Sequence, residues 1–173
     1  MMQTLLAVLF FVLFSIGSLA AGRHADPDLE ATLPQTLGGV ALTIESQLGT
    51  DLNSNSTAFD AFLRELGKSR EDFIVASAYA SGSLKGAVSS WRVKGAASLS
   101  LLPAFKMAIQ SSSNTKLTIA EEILSGRTVT RIGEPGQLAQ GPIYVFVKSD
   151  ILYFVQTSEP ALANEASGKL PSL

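Results

Sequence analysis

The chain has 173 residues, 46% of them hydrophobic and 16% charged, which allows one domain with a real core and excludes an intrinsically disordered polypeptide. Its net charge is −2 and its 13 basic residues are scattered singly, so it offers no basic field for nucleic acid. With no cysteine and one histidine, thiol nucleophiles, disulfides, lipoprotein-type acylation and the usual zinc sites are excluded together.

Leu5 to Leu19 is almost wholly apolar and ends in small residues, with Ser18 and Ala20 at the −3 and −1 positions of a cleavage site. This is the layout of a secretory signal peptide over residues 1–20, although Met1-Met2-Gln3-Thr4 contains no Lys or Arg. The alternative is an uncleaved anchor, the only route by which this reading brings the chain to a membrane. A spanning helix takes about 20 apolar residues. Ser15, Gly17 and Ser18 weaken the end of this shorter run, which favours the cleaved signal. The expected location is therefore secreted, periplasmic or in the cell envelope. Residues 21–35 combine two prolines and mixed charge without periodicity, and read as a linker that contains His24. One folded domain is expected over residues 36–171.

The first strand is expected over Gly39–Glu45, where Val40, Leu42 and Ile44 alternate with Ala41 and Thr43. After a polar loop, Phe59, Phe62, Leu63 and Leu66 fall on one stripe of a helix, with Ser56 or Thr57 as its cap and Gly67 as its stop. Ser69-Arg70-Glu71-Asp72 turns into a strand over Phe73–Ala80, and Ser81-Gly82-Ser83 joins that strand to Leu84–Lys94 as a hairpin. A second helix holds Leu101, Leu102, Phe105 and Ile109. Proline is tolerated in the first turn, so Pro103 sets its start near Ser100.

Thr118 to Leu124 can be read two ways. Thr118 and Glu121 could form a helical capping box, whereas Leu117, Ile119, Glu121 and Ile123 alternate as a strand does. The turn residues Ser125-Gly126, leading into Arg127–Ile132, favour the hairpin. Residues 133–142 carry glycine and proline. Beyond them Ile143–Val147 and Ile151–Val155 flank Lys148-Ser149-Asp150 as a second hairpin, apolar on both faces, which belongs in the middle of a sheet. Thr157 or Ser158 then caps a last helix with Pro160 in its first turn. The order βαββα then ββββα predicts an α+β two-layer sandwich, its sheet mostly antiparallel and its helices mainly on one face.

Chemistry is mostly excluded by absence. A Ser–His–acid triad needs an imidazole fixed beside the serine, and no glycine-rich nucleotide cradle is present. No catalytic residue, metal ligand or cofactor is expected. The neighbouring pairs Glu71-Asp72 and Glu121-Glu122 read as solvated faces or a helix start, since adjacent strand residues point to opposite sides. Asp51, Asn53 and Asn55 have the alternation of a calcium loop. Ser56 and Phe62 stand where its glycine and glutamate should be, so the segment reads more simply as an Asx-rich turn. Asn55-Ser56-Thr57 is also a glycosylation sequon, meaningful in a glycosylating host. The remaining candidates are Trp91, Tyr144, Phe146, Tyr153 and Phe154. On a sheet face without helices they would form a groove for an apolar ligand or a partner protein; under the last helix or the long loops they are core.

Leu37-Gly38-Gly39-Val40-Ala41-Leu42-Thr43, Leu66-Gly67-Lys68 with Asp72, Arg92-Val93-Lys94-Gly95-Ala96, Gly126-Arg127-Thr128-Val129-Thr130 and Tyr144-Val145-Phe146-Val147 with Asp150 give the chain a resemblance. It resembles an uncharacterised family of exported bacterial proteins and lipoproteins. The resemblance implies export and assigns no functional residue. The lipobox cysteine of many such proteins has no counterpart here. The expected function is a non-enzymatic exported domain that binds a partner or apolar ligand, or serves the cell envelope. The alternative is an extracytoplasmic hydrolase built from carboxylates that the fold brings together.

Overall fold

The computed structural model describes residues 24–52, 56–80, 86–113, 116–133 and 141–172. Its main sheet has seven strands: β3 (Thr43–Leu48), β4 (Phe73–Tyr79), β5 (Gly86–Val93), β6 (Thr118–Leu124), β7 (Arg127–Gly133), β8 (Ile143–Lys148) and β9 (Ile151–Thr157). All neighbours are antiparallel, in the order β3-β4-β5-β9-β8-β7-β6. The apolar hairpin is where its two greasy faces require it, with β9 the fourth strand of the seven. Thr118–Leu124 is a strand, and the turn decides it: Ser125 and Gly126 both take left-handed backbone (φ 49° and 77°), closing a two-residue hairpin.

Register then sorts the side chains. Val145 faces Phe154 and Phe146 faces Tyr153, so Ile143, Val145, Leu152 and Phe154 go to one face and Tyr144, Phe146, Tyr153 and Val155 to the other. The first face is covered by α2 (Thr57–Glu65) and α3 (Ser98–Ser112), which pack on each other and flank β4 and β5 in the chain. Phe59, Phe62, Leu101 and Phe105 are their buried contribution. Ser56 caps α2 through Phe59 N–H, and Gly67 (φ 64°) follows its end. The fold is an α+β sandwich.

The second face is not bare. Leu162, Ala163 and Ala166 of α4 (Pro160–Lys169) lie on it, together with Leu29, Leu33 and Leu37 from the N-terminal segment. This corrects the linker expected over residues 21–35. Asp26 caps a one-turn helix α1 (Pro27–Glu30) through Leu29 N–H at 2.9 Å, and Leu29 is fully buried. The two prolines that suggested a linker stand at the first position of that helix and in the loop after it.

Three boundaries also move. Gly38 and Gly39 (φ 57° and 75°) fold β1 (Thr36–Leu37) against β2 (Val40–Ala41), so the chain enters the main sheet at Thr43 and not at Gly39. Helix α3 starts at Ser98, with Pro103 inside it. Helix α4 is entered through Glu159, whose N–H donates to Thr157 Oγ1 (3.0 Å), with Pro160 at the first position. The export signal expected over residues 1–20, the turn expected at Ser81-Gly82-Ser83, Asn53, Asn55 and residues 134–140 lie outside the described residues.

Candidate functional site

Alternation divides the five aromatic candidates. Trp91 and Phe154 lie under α2 and α3, while Tyr144, Phe146 and Tyr153 lie under α4 and the N-terminal segment. All are buried, none more than 6% exposed. Trp91 is ringed by Phe154, Phe73, Phe105, Phe62 and Phe59, with centroids 4.5–6.3 Å away. On the other side Phe146 stacks on Tyr153 (5.0 Å, 14°) and carries the Arg127 guanidinium at 4.3 Å. These side chains line no common surface. The groove reading fails because helices and the N-terminal segment occupy both faces.

The polar convergence lies at the edge strand β3, which sequence reading passed over. His24 forms a parallel bridge with Ser46, and the Ala25 N–H donates to the Ser46 carbonyl (3.4 Å). The Asp26 N–H donates to Ser46 Oγ at 2.8 Å, and that hydroxyl donates to Glu30 Oε1 at 2.5 Å. Glu30 Oε2 lies 2.9 Å from His24 Nδ1. Asp26 uses one carboxylate oxygen for the α1 cap and pairs the other with Arg92 of β5. Beside this network opens a cleft of about 390 Å³, walled by Pro27, Ala31, Leu42 and Ile44 and edged by His24, Glu30 and Gln35.

Serine, carboxylate and imidazole thus meet, but in an order that does not make a nucleophile. A triad serine gives its proton to the imidazole. Here Ser46 is buried and donates to the carboxylate while accepting from a backbone amide. Both oxygens of Asp26 and of Glu30 are also engaged. What remains reachable is the cleft, with its apolar wall and the half-exposed His24 ring on its rim.

A second polar patch lies on the α2/α3 face. Glu45 lies near the Tyr79 hydroxyl, whose pKa is raised first by burial and then by that carboxylate. The neighbouring Ser77 and Ser89, directly paired between β4 and β5, are buried with no hydrogen-bond partner for either hydroxyl among the described residues. Among the described residues no three His, Asp or Glu side chains converge as a metal site would require, and no helix is long and apolar enough to cross a membrane.

The signal for the edge site was Asp26-Pro27, a capping residue followed by proline at the first helical position. Leu29, Leu33 and Leu37 behind it repeat every four residues. Nothing local connects that segment to Ser46 or Arg92. Comparison of the chain with protein-family models, curated proteins and solved structures returns no match.

Proposed function

We propose that this chain is an exported, non-enzymatic binding domain, and that its ligand or partner places an apolar group in the cleft beside His24 and Glu30. The convergence at that cleft carries the reading: the apolar side chains of Pro27, Ala31, Leu42 and Ile44 lie beside the polar His24, Glu30 and Gln35 in an open volume of about 390 Å³. Ligand sites occupy roughly 300–1,000 Å³. Its lining holds the carboxylate of Glu30 and no Lys or Arg, so a cationic or donor head group on an apolar tail suits it best. The apolar run of residues 1–20 and the resemblance to exported proteins support a place of action outside the cytoplasm.

Octylammonium and octanoate are the probes that test this. In 1H–15N spectra octylammonium should shift amides of residues 27–46 saturably, with octanoate several-fold weaker. Ala31→Trp fills the cleft from an exposed position and should abolish the shifts without lowering the melting temperature. Shifts scattered over the whole protein, or unchanged by Ala31→Trp, contradict the proposal. Turnover of a chromogenic ester or glycoside that is lost in Glu30→Gln would establish the hydrolase instead.

A further inference from the structure

The two edges of the main sheet differ. At β3 the segment holding His24 and Ala25 lies along the strand and pairs with Ser46. At β6 no further strand follows among the described residues, and five of its seven residues are exposed. An edge strand is a template for another strand, and proteins usually blunt it with charged side chains, a bulge, a proline or a very short strand. Strand β6 has only the first of these, the carboxylates of Glu121 and Glu122, which disfavour an acidic partner strand and leave a basic one free to pair. Its register with β7 runs unbroken from Thr118 opposite Gly133 to Leu124 opposite Arg127, and its sequence contains neither proline nor lysine.

The side chains of one face suggest what would pair with it. Ile119, Glu121 and Ile123 share that face by alternation. Ile119 packs partly on the core, whereas Ile123 is 72% exposed, a large apolar side chain that the fold leaves uncovered. Glu121, between them, is exposed and makes no ion pair among the described residues. Glu122, on the opposite face, has Arg131 at 3.6 Å. A second copy fits poorly: the antiparallel self-pairing that uses all seven residues sets Glu121 against Glu121, and like charges directly opposite are destabilising.

We propose that β6 is a strand-addition site for an extended segment of another protein, one with apolar, basic and apolar side chains at alternate positions. The basic side chain lies opposite Glu121 and the apolar ones opposite Ile119 and Ile123. Main-chain hydrogen bonds supply the affinity and these three positions the selectivity. The site is on the sheet edge opposite the cleft and does not depend on the cleft's function.

The test uses the purified chain and the peptide acetyl-Thr-Val-Thr-Lys-Thr-Val-Thr-amide, with a second peptide carrying Glu in place of Lys. Amide exchange should slow over residues 118–124 on adding the basic peptide and stay unchanged at β3. At low salt the basic peptide should bind about five- to tenfold more tightly than the acidic one, and Glu121→Lys should reverse that preference. Glu121 is exposed, so this variant should melt with the parent; if it does not, the two peptides on the unaltered chain carry the same comparison. No slowing at millimolar peptide, slowing elsewhere, or equal affinities for both peptides would overturn the proposal. Protection of residues 118–124 that grows with protein concentration in the absence of peptide would overturn it too, by making a second copy the occupant.

Discussion

Phe146 and Phe154 sit on adjacent strands of the central hairpin, each on its own face of the sheet, and both are closed in. Truncating a buried Phe to Ala costs about 3–5 kcal/mol, so Phe146→Ala and Phe154→Ala should each lower the urea midpoint severely. A midpoint that tolerates either change would mean that its face is open. Ser89 works in the other direction. Its buried hydroxyl has no partner among the described residues, and a polar group left so costs roughly 1–3 kcal/mol. Ser89→Ala keeps nearly the same shape and should raise the urea midpoint; a clear loss of stability would show that the hydroxyl has a favourable role. Tyr153 makes the fold sensitive to alkali. Burial, the leading cause, raises its pKa above the ordinary 10.0, and Tyr144 and Tyr79 shift the same way. A raised folded-state pKa means that stability is full below about pH 10 and is lost as pH rises through the folded value. Urea midpoints should therefore fall above about pH 10, and Tyr153→Phe should make that fall shallower.

Helix α3 carries the chain from β5, in the middle of the sheet, to its far edge at β6, and three hairpins bring it back to pair β9 with β5. That crossing requires a long helix. The sequence nevertheless puts Pro103 at its sixth position, where a proline removes the hydrogen bond to Leu99 and costs about 3 kcal/mol relative to Ala. Burial of Leu101, Ala104, Phe105, Ala108 and Ile109 holds the helix in spite of it. Pro103 is exposed, so Pro103→Ala should stabilise the domain, read as a higher melting temperature. An unchanged or lower value would show that Pro103 serves the packing. The start expected near Ser100 was wrong for the same reason: propensity alone places proline in the first turn, and tertiary burial overrode it.

Across the whole molecule, the parts legible in the sequence are those whose structure is set by near neighbours. Apolar runs bounded by turn residues marked β4, β5, β8 and β9, the i, i+3, i+4 stripe marked α2, and Ser125-Gly126 separated β6 from a rival helix. The candidate site was not legible, because it is made of contacts between distant residues. Ser46 reaches Asp26 and Glu30, and Arg92 reaches Asp26 across 66 positions. The last helix was foreseen as a cover for the second face, but the part played by the N-terminal segment was missed likewise. Leu29 and Leu33, in a segment that looked like a tether, cover the sheet face that would otherwise have been an open groove. The central claim is that the segment over residues 24–35 belongs to the folded domain, closes this face and builds the cleft. The most direct test is the urea midpoint of Leu29→Ala. If the segment is docked as described, losing this fully buried side chain costs about 2–5 kcal/mol and the midpoint falls accordingly. A midpoint equal to that of the parent chain would mean that residues 24–35 are a loose tether, and the cleft would go with them.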